Sequence, residues 1–214
     1  MYVIGITGPS GAGKTTALAV LAELGGRVFD CDAIYHHMLD TDGELLGRIE
    51  AAFPGSVRDY ALDRKRLGAK VFADPSGLER LTAITQPLVA KHVREAISSA
   101  TGTGSTGDGS RCCRTREPLP CAAVIDAIGL FESGLGADCD LTVAVVADPE
   151  VRVRRLMARD GITEDYARAR ITAQKPAAFY TSRADITLEN NGTEEAFAAR
   201  CREVFLEKLS KIQE

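Results

Sequence analysis

The stretch GPSGAGKT, residues 8–15, constrains this chain more than any other. It matches the pattern G-x-x-x-x-G-K-[ST] at Gly8, Gly13, Lys14 and Thr15. Glycines there let successive N–H groups turn inward around an anion, and a following helix adds the partial positive charge of its N-terminus. YVIGIT, residues 2–7, is a short apolar, β-branched run that reads as a buried parallel strand. TTALAVLAEL after Lys14 favours helix and stops near Gly25-Gly26. A glycine loop between a strand and a helix is the context in which the pattern binds phosphate. Gly8, Ser10, Gly11, Ala12, Gly13, Lys14, Thr15 and Thr16 are therefore candidate nucleotide-binding residues. Lys14 would reach the β- and γ-phosphates and the Thr15 hydroxyl would ligate Mg²⁺.

The rest of the chain reads as α/β, a P-loop NTPase three-layer fold with about five parallel strands. RVFD (27–30), CAAVIDAI (121–128), DLTVAVVAD (140–148) and ADITLEN (184–190) are the other strand candidates. Residues 33–99 carry no convincing strand and form a helical insert, in which Pro87 should kink or restart the last helix. Residues 101–120 are rich in Gly, Ser and Thr and read as a flexible surface loop. Residues 150–183 hold a charged helical pair broken at Gly161, with Thr163 as a cap, and suit a lid. An amphipathic helix closes the chain. A single domain with insert, loop and lid is the expected organisation.

With 214 residues and a formal net charge of -4, the chain offers no basic field for nucleic acid. It shows no signal peptide and no apolar run that spans a bilayer, so a cytoplasmic location with no membrane partner is expected. The six cysteines lack CxxC spacing and read as reduced thiols. No guanine-reading NKxD segment is present. What remains is a small-molecule kinase using ATP and Mg²⁺. Asp32, in DCD (30–32) at the end of the second strand, is either a base for the attacking hydroxyl or the cap of the next helix. Asp30 reads as structural or as a water-mediated Mg²⁺ contact.

The sequence resembles the dephospho-CoA kinases, the last enzymes of coenzyme A synthesis, over nearly its whole length. GITGPSGAGKTT stands where that family has GLTGGIGSGKST, and VFDCDAI (28–34) resembles its V-I-D-A-D-x-I segment. LDRKRLGAKVFADP…QPLV (62–89), LFESGL (130–135), RRLMARDGIT (154–163), ARARITAQ (167–174) and ENNG (189–192) follow in the family's order. The resemblance implies that Asp32 deprotonates the ribose 3′-hydroxyl of dephospho-CoA. It implies that Lys14 and Arg155 steady the phosphoryl group, with Arg159 one helical turn further on. By residues alone, Arg155 and Arg159 also fit a solvated basic face. The resemblance places Gln174 and Asn191 near the lid and adenine, and Gln86, Leu130, Phe131 and Glu132 at the acceptor. The product would be coenzyme A, and the protein a monomer or weak homo-oligomer.

Three departures bear on the acceptor. The family's HPL is Gln86-Pro87-Leu88, its PLLFE is Ile128-Gly129-Leu130-Phe131-Glu132, and the 101–120 loop is longer. Gln can hydrogen-bond a substrate oxygen but carries no proton at neutral pH. The GPSGAGK wording also resembles guanylate and uridine kinases, so a nucleoside or nucleotide kinase is the second reading. A nucleotide-binding module without turnover is the third.

Overall fold

A computed structural model of the chain describes residues 1–102 and 122–210. They fall into two compact units, Met1–Phe29 with Thr106–Glu214, and Asp30–Ser105. The cysteines at 112, 113 and 121 and the expected 101–120 loop lie almost wholly outside the described residues.

In the first unit, β1 (Tyr2–Thr7) and β2 (Arg27–Asp30) flank α1 (Lys14–Glu23) in sequence. They are followed after the second unit by β5 (Ala122–Asp126), β6 (Leu141–Val146) and β7 (Ile186–Glu189). The sheet order is β2-β5-β1-β6-β7. β1 runs parallel to both neighbours, with Ile4 opposite Val124 on one side and Leu141 on the other. A strand so placed is covered on both faces, which is why its last four residues are all buried. Ile4, Ile6, Val124, Val143 and Val145 pack with Ala17, Val20 and Leu21 of α1. Phe197, Cys201, Val204 and Phe205 of α9 (Glu194–Ser210) complete that core. Five parallel strands are thus the architecture expected from the sequence.

The charged pair resolves into α6 (Pro149–Asp160), α7 (Glu164–Thr172) and a short α8 (Ala177–Thr181). Gly161 ends α6 in the left-handed region at φ 65°, and the Thr163 hydroxyl accepts from Tyr166 N at 3.4 Å, as its spacing suggested. Arg168 ties α7 to the start of α6, donating to both Glu150 and Glu164. Among the described residues Cys31, Cys139 and Cys201 take part in no disulfide. Burial pushes the Cys139 thiol up to about 12 and the Cys201 thiol up to about 11, so neither is a ready thiolate.

The second unit holds α2 (Cys31–Thr41), α3 (Gly43–Ala52), α4 (Arg64–Ala73) and α5 (Gly77–Gly102). Asp30, Asp42 and Asp63 cap the first three by accepting from backbone N–H groups. α5 runs on through Pro87 without restarting, contrary to one of the two expectations for that proline. The unit also contains a small hairpin that the apolar spacing did not suggest, β3 (Val57–Arg58) with β4 (Ala61–Leu62). Its two turn residues, Asp59 and Tyr60, both have positive φ, the geometry of a tight hairpin loop. Glu50 supports it by accepting from Gly55 N and from Val57 N at 2.7 Å, and these bonds hold its carboxyl below the usual range.

Between those two donors sits Ser56, whose buried hydroxyl has no hydrogen-bond partner among the described residues. A buried, unpaired hydroxyl costs desolvation and returns nothing. Ser56→Ala is expected to raise the unfolding free energy by up to about 1 kcal/mol, read by denaturant titration. A loss of similar size would show that the hydroxyl has a partner after all.

Candidate functional site

The loop from Gly8 to Gly13 leaves the end of β1 and delivers the chain into α1. Three of its residues have no room for a side chain. A Cβ on Gly8 would lie 2.0 Å from the Val145 carbonyl oxygen of β6, and one on Gly13 would lie 2.1 Å from Asn190 Nδ2. Gly11 is held 3.0 Å, by the same measure, from the Arg152 carbonyl of α6. All three have φ between 79° and 139°, where glycine alone is unstrained. The glycines therefore wedge the loop between the sheet, α6 and the segment after β7.

Gly13 occupies the cap position of α1 at φ 97°, and no side chain caps the helix. The start of α1 thus presents the positive end of the helix dipole with no side chain placed over it as a cap. Lys14 Nζ lies over the loop and donates to Gly8 O at 3.0 Å. Thr15 is exposed on the first turn. Thr16 Oγ1 is 3.4 Å from Glu194 Oε1 of α9.

Two arginines of α6 brace this loop. Arg152 is only 4% exposed; its Nε donates to Ser10 O at 2.9 Å and its Nη2 to Gln174 Oε1 at 2.8 Å. Gln174 Oε1 also accepts from Ser10 N at 3.1 Å, while Gln174 Nε2 donates to Ser10 Oγ at 2.6 Å. Arg155 lies one turn on. Its Nη1 donates to Asn190 O at 3.0 Å and, at 3.4 Å, to the carbonyls of Gly11 and Ala12. Its Nη2 donates to Asn190 Oδ1 at 3.0 Å and Gly192 O at 3.3 Å. Asn190, 4% exposed, closes the set by donating from Nδ2 to Ala12 O at 2.9 Å.

The family model for dephospho-CoA kinase (CoaE) matches residues 2–107 and 112–195 of this chain. The chain belongs to the dephospho-CoA kinase family. A dephospho-CoA kinase of Rhodopseudomonas palustris is 33% identical over 99% of this chain and 98% of its own length. A crystal structure from Thermus thermophilus matches at TM-score 0.72 and 33% identity, covering 97% of both chains. A dephospho-CoA kinase from Campylobacter jejuni matches at TM-score 0.67 and 22% identity over 98% of both chains, a likeness of fold.

Within this family member, the expected site residues divide into those gathered at the loop and those elsewhere. Lys14, Thr15, Arg155 and Gln174 are at the loop or bonded to it. Asn191 is one residue away from the contact; its Oδ1 accepts from Asp148 N at 2.8 Å, and Asn190 is the residue on the loop. Arg159 does not reach the loop. It is exposed and pairs with its neighbour Asp160, which also accepts from Arg170 Nη1 at 2.6 Å. Leu130 is 0% exposed, packed where a Cβ on Gly5 would meet it, and so stands in the core rather than open to an acceptor. Phe131 is half-buried, its ring edge-on to Phe179 at 6.5 Å, and Glu132 is exposed.

In the second unit, Asp32 is exposed on the first turn of α2 with no side-chain hydrogen bond among the described residues. The cap is Asp30, which accepts from Ala33 N at 3.0 Å. The capping alternative for Asp32 is thereby closed. Gln86 is half-buried on α5.

The donor set fits a magnesium ion carried by phosphates rather than a protein cage. Among the described residues no group of three or more His, Cys, Asp or Glu side chains could hold a metal. Thr15 offers an exposed hard oxygen beside the uncapped helix start, the kind of single ligand Mg²⁺ takes when phosphates complete its shell. Arg152 and Gln174 also line a cavity of about 360 Å³ with apolar walls from Pro149, Ile171 and Pro176, within the size range of small-molecule pockets. No helix among the described residues is long and apolar enough to cross a membrane.

The Arg159–Asp160–Arg170 cluster has its own signature. Hydrogen bonds from Arg159 first, then Arg170, hold the Asp160 carboxyl down at about 2. A depressed carboxyl stabilises the fold above its unfolded value near 3.8, and that contribution fades as pH falls through about 2. A carboxyl NMR titration is expected to give a midpoint near 2, moving up toward 3.8 in Arg159→Ala.

Proposed function

We propose that the protein transfers the γ-phosphoryl group of ATP to the ribose 3′-hydroxyl of dephospho-CoA, giving coenzyme A and ADP. The observation that carries this is the three-glycine loop running into the uncapped N-terminus of α1, in a chain of the dephospho-CoA kinase family. Loop N–H groups and the helix start hold the β- and γ-phosphates, and Lys14 moves from the Gly8 carbonyl to a non-bridging phosphate oxygen. Thr15 would hold Mg²⁺, which when bound draws charge from the triphosphate oxygens. Arg155, which donates to the loop carbonyls of Gly11 and Ala12, would exchange these bonds for oxygens of the phosphoryl group. Arg159 would join it only by leaving Asp160.

Asp32 accepts the 3′-hydroxyl proton as the phosphoryl group transfers in line. Gln86 and Glu132 contribute polar contacts to the acceptor, with Phe131 beside it, and Gln174 and Asn191 border the nucleotide. The domain is one kinase fold with an acceptor insert of about 33–99 and a lid of about 150–183. The lid excludes water that would otherwise hydrolyse ATP. The same reading makes the protein a cytoplasmic monomer or weak homo-oligomer that does not engage nucleic acid.

The test is ATP consumption with Mg²⁺, comparing dephospho-CoA with a panel of nucleosides and nucleoside monophosphates. Turnover with dephospho-CoA alone, yielding coenzyme A, supports the proposal. Turnover on a nucleoside or nucleotide instead would mean that Gln86 and Ile128-Gly129 accompany a re-aimed acceptor pocket.

A further inference from the structure

Arg152 belongs to none of the roles above, yet it is the most deeply buried charged residue described. α6 explains its burial: Arg152, Val153 and Leu156 share the face that packs inward, so a cation stands on an apolar stripe. Burial pulls its affinity for a proton below the usual guanidinium value. A buried cation needs acceptors, and it has found two, Ser10 O and Gln174 Oε1.

The identities of these neighbours fix which way the Gln174 amide faces. Arg152 Nη2 and Ser10 N can only donate, so the amide atom 2.8 and 3.1 Å from them is the oxygen. The amide nitrogen therefore points at Ser10 Oγ, 2.6 Å away, and must donate to it. A serine hydroxyl that accepts at its oxygen keeps its own proton for another acceptor. Ser10 is only partly buried and sits inside the glycine loop. A chain that begins at a cation also polarises each bond along it, which strengthens the last donor.

We propose that Arg152 and Gln174 form a positioning relay: they fix the Ser10 peptide in the loop and turn the Ser10 hydroxyl proton toward a phosphate oxygen of the bound nucleotide. This rests on the reading of the loop as an ATP site. Because Gln174 follows α7 and Arg152 lies on α6, the relay also joins the helical pair to the loop, so nucleotide affinity depends on the seating of that pair.

The test is a double-mutant cycle on Ser10, read by calorimetric Kd for ATP. Ser10→Ala in the natural sequence is expected to weaken ATP binding about tenfold, the loss of one hydrogen bond to a charged oxygen. Gln174→Glu keeps an acceptor for Arg152 and Ser10 N but takes the Ser10 proton for itself. In that background Ser10→Ala should then change Kd by less than about twofold. Arg152→Met is an independent arm should the glutamate variant not fold. Without the guanidinium only Ser10 N holds the amide oxygen in place, and the Ser10→Ala effect should again shrink. In both backgrounds KM for ATP should rise while kcat and the acceptor KM stay within about twofold, a split that general loosening of the fold would not give. An undiminished Ser10→Ala effect in both backgrounds, or none in the natural sequence, overturns the relay while leaving the ATP site standing. Failure of the unsubstituted protein to bind ATP overturns both.

Discussion

Lys14→Ala is expected to lower kcat/KM by roughly 10²-fold, about 3 kcal/mol of transition-state stabilisation, with little loss of fold. The side chain sits at the junction of loop and helix, and its ammonium reaches back 3.0 Å to the Gly8 carbonyl. That places a cation directly over the backbone that would hold a triphosphate. In phosphoryl transfer, negative charge shifts toward the leaving β-phosphate oxygen, so a cation close to the β–γ junction gains interaction as the bond breaks. Removing it should therefore act on kcat as well as on nucleotide affinity. The hydrogen bond to the Gly8 carbonyl is worth about 1 kcal/mol to the folded state, which for a chain of this size corresponds to about 2–4 °C in Tm. Steady-state kinetics with ATP and dephospho-CoA, together with a thermal melt, separate the two effects. A loss of less than tenfold would remove Lys14 from the phosphoryl-transfer role.

What could be read in the sequence is what depends on local pattern. The strand YVIGIT, the glycine loop and the helix after Lys14 follow from residue type and spacing alone, and they stand where expected. So do the left-handed stop at Gly161 and the Thr163 cap, because a cap is a contact between residues three apart. The hairpin at 57–62 was missed for the opposite reason. Asp59-Tyr60 is not a usual pair for a turn with two positive φ values, and the hairpin is secured by Glu50 from another element.

The site shows the same division. Lys14 and Thr15 belong to a motif, but Asn190 and Arg152 matter through partners 22 to 178 residues away in sequence, beyond any local pattern. Weak signals for both were present. Leu188 is buried between exposed neighbours in β7, and the same alternation carried one step on puts Asn190, not Asn191, on the inward side. On α6, Arg152 is four residues before Leu156 and shares its face, so a charged residue falls on the apolar stripe. Arg159 lies three residues beyond Leu156, near the helix end, where Asp160 is a closer partner than any loop atom. Leu130 was assigned to the acceptor through its place in LFESGL, but its position under Gly5 makes it a packing residue.

Asp32→Asn is the second large effect, expected to reduce kcat by roughly 10² to 10⁴-fold while ATP affinity stays within about twofold. The substitution keeps shape and removes only the capacity to take a proton. The fold has no competing use for this carboxylate: Asp30 caps α2, and Asp32 makes no side-chain hydrogen bond among the described residues. Its charge does favour the N-terminus of α2, a term of about 0.3–1 kcal/mol that leaves the helix intact when lost. Asp30 is the built-in control, because the two residues exchange roles between stability and chemistry. Asp30→Ala should cost about 1 kcal/mol of stability through the lost cap, with turnover largely kept in the folded fraction. Asp32→Asn should do the reverse. If both variants lose stability and turnover in proportion, the acid at 32 is one more helix-end charge, and the proton must leave by another route. If Asp32→Asn alone abolishes turnover with ATP still bound, the chain is a kinase whose base is Asp32, since a module that only binds nucleotide has no turnover to lose.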